Sequence, residues 1–366
     1  MGGTILAVAV ISAVHAALAA ILVIVDRKVN RYGECAIDIN DGGKRVTVEG
    51  GRSLLESLRD EKIFIPSACG GRGTCGECRL KVREGGGPLL PTEEPYLEET
   101  QREAGMRLAC QVKVKNDIRI EIPEALFSVS EFSCVCAEIE DLTHDMKRFR
   151  LELKEPAGMN YVPGQYVQLR CPAYDGNEEV YRAYSIASDP ADRNVVELII
   201  RLVPGGICTT WCFERLREGD EVVINGPYGE FRLSDTDAPM IFIAGGSGIA
   251  PFRCMLHHMR NTKCGRQATF YFGANRVREL CLIDTMEAFE EQLENVSFVP
   301  VVAKPAEDEK WDGETGLVTE AVARAFDDLA GHEGYLCGSP GMIDASVEVL
   351  KELGMREESI FYDKFE

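Results

Sequence analysis

The sequence predicts a multidomain protein with four consecutive parts: an N-terminal apolar segment, a small strand-rich α+β domain, an antiparallel β-barrel and an α/β domain with a parallel sheet. The chain has 366 residues, which is too long for one typical domain. Alternating strand-like runs dominate up to residue 236, whereas strand-like and helix-like runs alternate after it. We therefore place the parts at 1–30, 31–125, 130–236 and 237–366.

The composition argues against some classes of function before any motif is considered. The formal net charge of −20 argues against a nucleic-acid partner, because phosphate binding needs clustered Lys and Arg. Most of the fourteen cysteines stand singly in apolar stretches, as Cys254 and Cys281 do, and are predicted to be small buried side chains. Their spacing does not resemble the disulfide framework of a small secreted protein.

The first part is predicted to be a membrane anchor. Thr4 to Val25 form 22 residues without a charge, enough for about 33 Å of helix. A signal peptide would have a basic residue before a shorter apolar run. Basic residues follow the run instead, so we predict a single-pass anchor with the later domains in the cytoplasm. His15 lies in the middle of the span, with either a functional or a packing role.

The second part contains a cysteine-rich loop, "SACGGRGTCGEC", within which Cys69, Cys75 and Cys78 have the spacing C-x5-C-x2-C. The next cysteine along the chain is Cys110. Reduced cytoplasmic thiols exclude a disulfide, and structural zinc usually takes two short pairs. Three thiolates from one loop and a fourth from elsewhere are typical of a 2Fe–2S cluster, with glycines that let backbone N–H groups approach it. We predict this cluster on the four cysteines, with zinc as the alternative.

Short runs around this loop predict the rest of the domain. Strands are expected at 35–40, 44–50, 78–85, 108–114 and 118–123, and a helix at 53–61.

In the third part, "YRAYSIAS" is followed by "PGGICTTWCFERL", a glycine-rich turn that enters a helix. Arg182 and Tyr184 alternate along a predicted strand and therefore share a face. A cation suits a flavin phosphate and a flat ring suits isoalloxazine. The turn at 205–210 offers helix N-terminal amides to a pyrophosphate. These features predict a flavin site on a barrel.

In the fourth part, "MIFIAGGSGIAPFRCMLHHM" and "GYLCGSPGMIDASVEVLKEL" each predict a strand, a glycine turn and a helix. Such alternation indicates a parallel sheet with its ligand outside the carboxyl ends of the strands. "GGSGIAP" resembles a phosphate turn, although it is not the G-x-G-x-x-G fingerprint. Cys337, in "CGSPGM", is expected near the same crevice, with one more buried thiol as the alternative.

The order of these motifs resembles the ferredoxin-NADP reductase superfamily with a fused N-terminal ferredoxin. With the apolar segment, the chain is similar to the family of F subunits of sodium-translocating NADH:quinone oxidoreductases, also in "LLPTE", "RLACQV" and "GPYGEF". The resemblance implies a transmembrane helix, a ferredoxin-like β-grasp domain with a 2Fe–2S cluster, an FAD-binding barrel and an NADH-binding α/β domain.

The resemblance also implies roles for individual residues. FAD would be bound by Arg182, Tyr184 and Ser185, and its pyrophosphate by Gly206, Thr209 and Thr210. NADH would be framed by Gly245, Gly246, Ser247, Gly248, Pro251 and Gly338. Cys337 and Glu230 would lie near the nicotinamide. Phe365 would stack on the flavin, with closure of the core of the nucleotide domain as the alternative.

The implied function is the NADH-oxidising input subunit of a membrane quinone reductase. Electrons would pass from NADH through FAD and the cluster to other membrane subunits and quinone, with sodium translocation, at the bacterial inner membrane. Two alternatives stay open: a membrane-anchored reductase that supplies an oxygenase or another redox enzyme, and a redox sensor. NADPH in place of NADH also stays open, because Arg276 and Arg278 lie where a 2′-phosphate could be read. An ordinary solvated pair is the alternative for these two arginines, and the resemblance favours NADH.

The chain departs from the resembled family at one place. Between "QLRCPAY" and "YRAYS" that family has a long insertion, whereas here only "DGNEEV" intervenes. This difference leaves the partner complex open.

Overall fold

A computed structural model describes residues 12, 14–18 and 32–365. Its contacts divide the chain into two compact units, Met1–Ile65 with Gly71–Ser128, and Pro66–Gly70 with Val129–Glu366. The anchor predicted between Thr4 and Val25 lies largely outside the described residues. Within the described part of the chain, no helix has the length and apolar character needed to cross a membrane.

The first unit is built on a mixed five-stranded sheet with the strand order β2-β1-β5-β3-β4. Its strands are β1 (Glu34–Ile39), β2 (Lys44–Glu49), β3 (Arg79–Glu84), β4 (Met106–Leu108) and β5 (Ile118–Glu121). Its helices are α1 (Leu54–Asp60) and α2 (Glu99–Glu103). The first and last strands pair in parallel at the centre of the sheet, and the other pairs are antiparallel. The α+β class predicted for this part agrees with the sheet.

Helix α1 begins where the sequence signals it. The Ser53 side chain accepts the Glu56 N–H at 3.2 Å, and the Glu56 carboxylate accepts the Ser53 N–H at 3.1 Å. This capping box satisfies two N–H groups that the helix leaves unpaired. The buried side chains of Leu54, Leu55 and Leu58 then fix α1 on the sheet.

The strand predicted at 108–114 is wrong beyond its first residue, because β4 ends at Leu108. The Gln111 N–H bonds back to the Leu108 carbonyl at 2.8 Å, which closes a turn. The carbonyl of Ala109 accepts the N–H of Leu55 at 3.0 Å. These backbone groups are therefore used by a turn and by α1, and Cys110 lies in a turn instead of a strand.

The second unit starts with an antiparallel six-stranded sheet in the order β10-β7-β6-β11-β8-β9. Its strands are β6 (Ser130–Asp141), β7 (Met146–Glu155), β8 (Tyr166–Cys171), β9 (Val180–Ser185), β10 (Val195–Arg201) and β11 (Glu221–Tyr228). Helix α3 (Ile207–Glu214) packs on β8 and β9. An isolated bridge between Ile186 and Leu198 brings the two edge strands together, as a barrel requires.

The second unit ends with a parallel six-stranded sheet in the order β15-β14-β13-β12-β16-β17. Its strands are β12 (Met240–Gly245), β13 (Ala268–Ala274), β14 (Val296–Val302), β15 (Glu314–Thr315), β16 (Glu333–Gly338) and β17 (Ile360–Lys364). Its helices are α4 (Ile249–Thr262), α5 (Ile283–Gln292), α6 (Val318–Ala325) and α7 (Pro340–Glu352). The predicted parallel sheet is present, and the turns after β12 and β16 meet at its carboxyl edge.

Candidate functional site

The cysteine-rich loop closes tightly on the rest of its unit at two glycines. Gly73 and Gly76 have φ angles of 76° and 69°, which L side chains rarely adopt. A Cβ atom at Gly73 would lie 2.6 Å from Nε2 of Gln111, and one at Gly76 would lie 2.9 Å from Cβ of Tyr96. A side chain at either position would strain the backbone, and at Gly76 it would also collide with the start of the Tyr96 side chain, so the glycines suit this compact loop.

Three of the four predicted ligands lie close together. The buried Cys78 thiol hydrogen-bonds with Cys110, and together with burial and the nearby Cys75 this raises the pKa of Cys78. Nε2 of Gln111 donates to Sγ of Cys110 at 3.5 Å. Neighbouring thiols are the donor set that an iron–sulfur cluster requires, so this group fits such a cluster. Cys69 is buried in Pro66–Gly70, which the contacts group with the second unit, and its role as fourth ligand stays a prediction.

None of the fourteen cysteines, all of which fall within residues 32–365, forms a disulfide. Among the described residues, no three His, Cys, Asp or Glu side chains are arranged to hold one metal ion.

A buried ion pair that the sequence analysis did not identify fixes the approach to Cys110. Arg107 donates from Nη2 to the Glu93 carboxylate at 2.6 Å, and Glu93 also accepts the backbone N–H of Leu108 at 2.9 Å. The Arg107 guanidinium further donates to three carbonyl groups in residues 86–88. Burial alone would raise the pKa of Glu93, but these hydrogen bonds lower it. Glu93 lies in "LLPTE" and Arg107 lies in "RLACQV". Their presence in these two motifs was the only sequence signal for the ion pair.

Strand β9 carries the predicted flavin residues. Arg182 and Tyr184 are half-buried and two positions apart, so they project from one face of β9. Nη1 of Arg182 donates to the Tyr181 carbonyl at 2.7 Å, and the Tyr184 hydroxyl hydrogen-bonds with the Cys208 thiol on α3. A cation and an aromatic ring on one face fit the phosphate and ring system of FAD. Their binding roles stay predictions.

The glycine-rich turn before α3 is stabilised by the hydroxyl group of Thr209. Oγ1 of Thr209 accepts the Val203 N–H at 3.2 Å and donates to the Val203 carbonyl at 3.3 Å. Gly206 is the N-cap of α3, and Thr210 lies half-buried in the first turn of the helix. The Thr209 hydroxyl is therefore already hydrogen-bonded within the turn. The backbone N–H groups at the start of α3 are the donors best suited to a pyrophosphate.

The turns after β12 and β16 pack against each other. A Cβ atom at Gly248 would collide with the carbonyl oxygen of Cys337, and one at Gly338 would lie 3.2 Å from the Gly245 carbonyl oxygen. The next residues begin α4 and α7, so two helix N-termini lie at this edge. This is where a parallel sheet binds a dinucleotide phosphate. Gly246, Ser247 and Pro251 belong to the same turn and to the start of α4.

One contact joins the flavin strand to this nucleotide edge. The Ser185 hydroxyl, at the end of β9, donates to Oδ2 of Asp363 at 3.4 Å. Asp363 pairs in register with Cys337, and burial followed by the Asp363 charge raises the pKa of the Cys337 thiol. Sequence reasoning missed Asp363, whose only signal was its position two residues before Phe365.

The last two predicted residues, Glu230 and Phe365, take no part in the hydrogen bond between Ser185 and Asp363. Glu230 is exposed after the end of β11. Phe365 is half-buried against the core of the α/β domain, and its N–H donates to the Gly338 carbonyl at 2.9 Å. Their predicted roles at the nicotinamide and the flavin stay predictions.

Comparisons with protein families identify the three cofactor modules. Residues 37–115 match the 2Fe-2S iron-sulfur cluster binding domain. Residues 133–233 match the oxidoreductase FAD-binding domain, and residues 242–348 match the oxidoreductase NAD-binding domain. Each matched range falls inside one predicted domain, whose bounds stay predictions. The predicted cofactors 2Fe–2S, FAD and NADH are thereby confirmed, and the zinc alternative is not supported.

Several solved structures are similar over most of the chain. The cytochrome P450 reductase GcoB from Amycolatopsis is 29% identical with a TM-score of 0.72, covering 90% of this chain and 98% of that chain. The ferredoxin reductase in carbazole 1,9a-dioxygenase is 25% identical with a TM-score of 0.70, covering 91% of this chain and 98% of that chain.

Curated relatives are similar over nearly their whole length. The F subunit of the Na(+)-translocating NADH-quinone reductase of Idiomarina loihiensis is 33% identical over 392 residues, with 95% of each chain covered. The protein of the same name from Serratia proteamaculans is 32% identical over 405 residues, with 99% of each chain covered. The predicted resemblance is confirmed, and the chain belongs to the family of F subunits of the Na(+)-translocating NADH-quinone reductase.

Proposed function

We propose that this chain is the NADH-oxidising input subunit of a membrane quinone reductase that translocates sodium ions. The observation that carries the proposal is the contact from Ser185 through Asp363 to Cys337. It joins the strand predicted to hold FAD to the edge predicted to hold NADH, so a hydride donor and its acceptor would meet within one unit. The family of the chain supports the same conclusion.

The bound cofactors would supply the redox chemistry: FAD accepts the two electrons of a hydride, and a 2Fe–2S cluster carries electrons singly. The residues of the chain bind and orient them. The guanidinium of Arg182 would hold an FAD phosphate through a charge-assisted hydrogen bond, and the ring of Tyr184 would pack on the flavin. The N-termini of α4 and α7 would hold the NADH pyrophosphate.

Close to the reacting atoms, the chain provides an apolar surface with one polar pair. Cys337 is fully buried, and the turn at Gly248 leaves no room for a side chain beside it. Such packing keeps water away from the Cys337 thiol, beneath the edge where a nicotinamide would bind. The Ser185 hydroxyl and the Asp363 carboxylate offer a donor and an acceptor beside it.

The cluster would be held by Cys69, Cys75, Cys78 and Cys110. Electrons would leave through other subunits of the complex to quinone. A single-pass anchor between Thr4 and Val25 would attach the protein to the bacterial inner membrane with its domains in the cytoplasm. These assignments rest on the sequence and on the names of the relatives.

A second function is supported by a specific observation. The similar solved structures include reductases described with a cytochrome P450 and with a dioxygenase. The connection between β8 and β9 is also short, and the alignments to the curated relatives, at 404 residues in one case, are longer than this chain. A membrane-anchored reductase that supplies an oxygenase is therefore the alternative.

Purification of the protein in detergent from its native membrane tests both functions. The proposed function predicts that membrane subunits co-purify and that NADH oxidation reduces quinone with a rate that depends on sodium ions. Co-purification with an oxygenase, and rapid reduction of that oxygenase without quinone reduction, would support the alternative. NADH oxidation too slow to sustain either acceptor would favour a redox sensor.

A further inference from the structure

The loop at 275–280, which follows β13, lies one strand away from the nucleotide turn. β12 and β13 pair in parallel with Gly245 opposite Gly273, so both strands end at the same edge. In dinucleotide-binding sheets, the pyrophosphate lies at the turn after the first strand, and a residue after the next strand reads the ribose. A carboxylate there accepts the 2′-hydroxyl of NAD, whereas an arginine accommodates the 2′-phosphate of NADP.

The residues of this loop would by themselves favour a 2′-phosphate. Arg276 and Arg278 both belong to it, and the residues directly after β13 are Asn275 and Arg276. A guanidinium group and backbone N–H groups are the donors that a phosphate prefers. The loop therefore has the components of a site for a 2′-phosphate.

The structure shows that a carboxylate of the chain itself already accepts a backbone N–H group of this loop. Oε2 of Glu309, from the segment between β14 and β15, accepts the N–H of Ala306 at 2.8 Å and that of Val277 at 3.5 Å. Hydrogen bonds from these amides and from the Arg278 N–H, together with the charge of Arg276, lower the pKa of Glu309. Nη1 of Arg276 donates to the Lys304 carbonyl at 2.6 Å.

A second carboxylate reinforces this arrangement. Oε2 of Glu279 accepts the N–H of Asn275 at 3.2 Å, which places another negative charge at the start of the loop. A 2′-phosphate would add about 1.5 to 2 negative charges beside these groups, by analogy with other phosphate monoesters. It would have to displace Glu309 or tolerate its repulsion, whereas a 2′-hydroxyl can donate to a carboxylate.

We propose that Glu309 determines the selection of NADH over NADPH, because its carboxylate accepts backbone N–H groups that a 2′-phosphate would need and places a negative charge beside the loop that would read it. This inference rests on the proposed function, since it requires a nicotinamide dinucleotide at this edge. It goes beyond that function by assigning the discrimination to one residue on a neighbouring loop.

The test uses the full-length holoenzyme with ferricyanide as the electron acceptor. Glu309→Gln keeps an oxygen that accepts the backbone N–H groups but removes the negative charge. We expect kcat/KM for NADPH relative to NADH to rise about tenfold to a hundredfold, the value of one charge-assisted hydrogen bond, with NADH oxidation little changed. Glu307→Gln removes the same charge from an exposed position of the same segment and leaves the ratio unchanged.

A binding measurement gives a readout that is independent of turnover. Adenosine 2′,5′-bisphosphate, titrated calorimetrically, is expected to bind Glu309→Gln more tightly than the wild type by a similar factor. Adding Arg276→Ala to Glu309→Gln should reduce that gain, because the 2′-phosphate then lacks the positive charge of Arg276, which acts on Glu309 in the wild type.

An unchanged nucleotide ratio and unchanged binding in Glu309→Gln would overturn the inference. An equal loss of activity with both nucleotides would also overturn it, since Glu309 would then only fasten the loop. If the wild type oxidises neither nucleotide, the proposed function fails and the inference fails with it. Rapid NADH oxidation with an unaltered ratio overturns the inference alone.

Discussion

Individual cysteines decide which metal the first unit binds, and Cys75 gives the sharpest test. Serine is a poor replacement for a thiolate ligand, so Cys75→Ser is expected to lose the EPR signal of the reduced cluster. FAD content and NADH-dependent bleaching of the flavin should stay near wild type, because the residues predicted to bind both lie in the second unit. EPR spectra of the purified protein measure the cluster signal, and absorbance spectra measure the FAD content and the bleaching of the flavin.

Cys264→Ser is the matched control, since Cys264 is half-buried in the α/β domain and has no predicted ligand role. It should keep the full EPR signal. Zinc without iron or acid-labile sulfide in the wild type would contradict the cluster assignment, as would an intact EPR signal in Cys75→Ser.

Arg182 gives the corresponding test of the flavin site. Arg182→Ala should lose a charge-assisted contact of about 1.5–3 kcal/mol, so FAD affinity should fall at least about tenfold while iron is retained. The FAD-to-iron ratio after gel filtration measures this. Arg193→Ala, at an exposed arginine of the same sheet domain, should keep its FAD. Full FAD occupancy of dilute Arg182→Ala would mean that Arg182 does not bind a flavin phosphate.

Among the structural elements, strand β16 is tied to the segment before β12 by one buried carboxylate. Burial would raise the pKa of Glu333, but hydrogen bonds from Ser234, Thr236 and Tyr335 and the ion pair with Arg266 lower it to about 2. The Arg266 contact is 2.6 Å long, and both side chains are nearly fully buried. Ionised Glu333 therefore holds the α/β domain to its connecting segment.

This network predicts a defined dependence of stability on pH. The folded pKa lies below the usual value near 4.5, so the stabilisation is complete above about pH 5 and is lost as pH falls towards 2. We expect Glu333→Gln to cost about 3 kcal/mol at pH 7, with the gap to wild type narrowing in that acid range. Denaturation curves at a series of pH values measure this gap.

Glu352→Gln, on the exposed end of α7, is the control and should cost little stability. A gap that stays constant from pH 7 to pH 3 would contradict this prediction.

Local patterns were sufficient to predict most elements, because strand alternation and the capping box at Ser53 depend on neighbouring residues. The strand predicted at 108–114 failed because the carbonyl of Ala109 bonds to α1, which is distant in sequence. For the same reason Glu93 with Arg107, Asp363 with Ser185, and Glu309 were missed. Each acts through a contact between residues at least fourteen positions apart, which a sequence pattern does not reveal.

At the scale of the whole molecule, removal of the apolar N-terminal segment is expected to abolish delivery of electrons to quinone while NADH oxidation is retained. A protein truncated to begin at Asn30 is expected to be soluble and to oxidise NADH with ferricyanide at the full-length rate, because the three cofactor modules begin after residue 36. It should fail to support quinone reduction when added to membranes that lack the full-length protein. Full restoration of quinone reduction by the truncated protein would show that the anchor is not required.

The central claim is that electrons from NADH reach the cluster through the flavin site of the same chain. Anaerobic mixing of the purified full-length protein with NADH, followed by absorbance and freeze-quench EPR on the same samples, tests it most directly. We predict that flavin bleaching precedes the cluster signal in the wild type, and that the signal fails to develop in Arg182→Ala depleted of FAD and returns when FAD is added. A cluster signal that forms equally fast without FAD, or a cluster that stays oxidised beside a reduced flavin, would contradict the account.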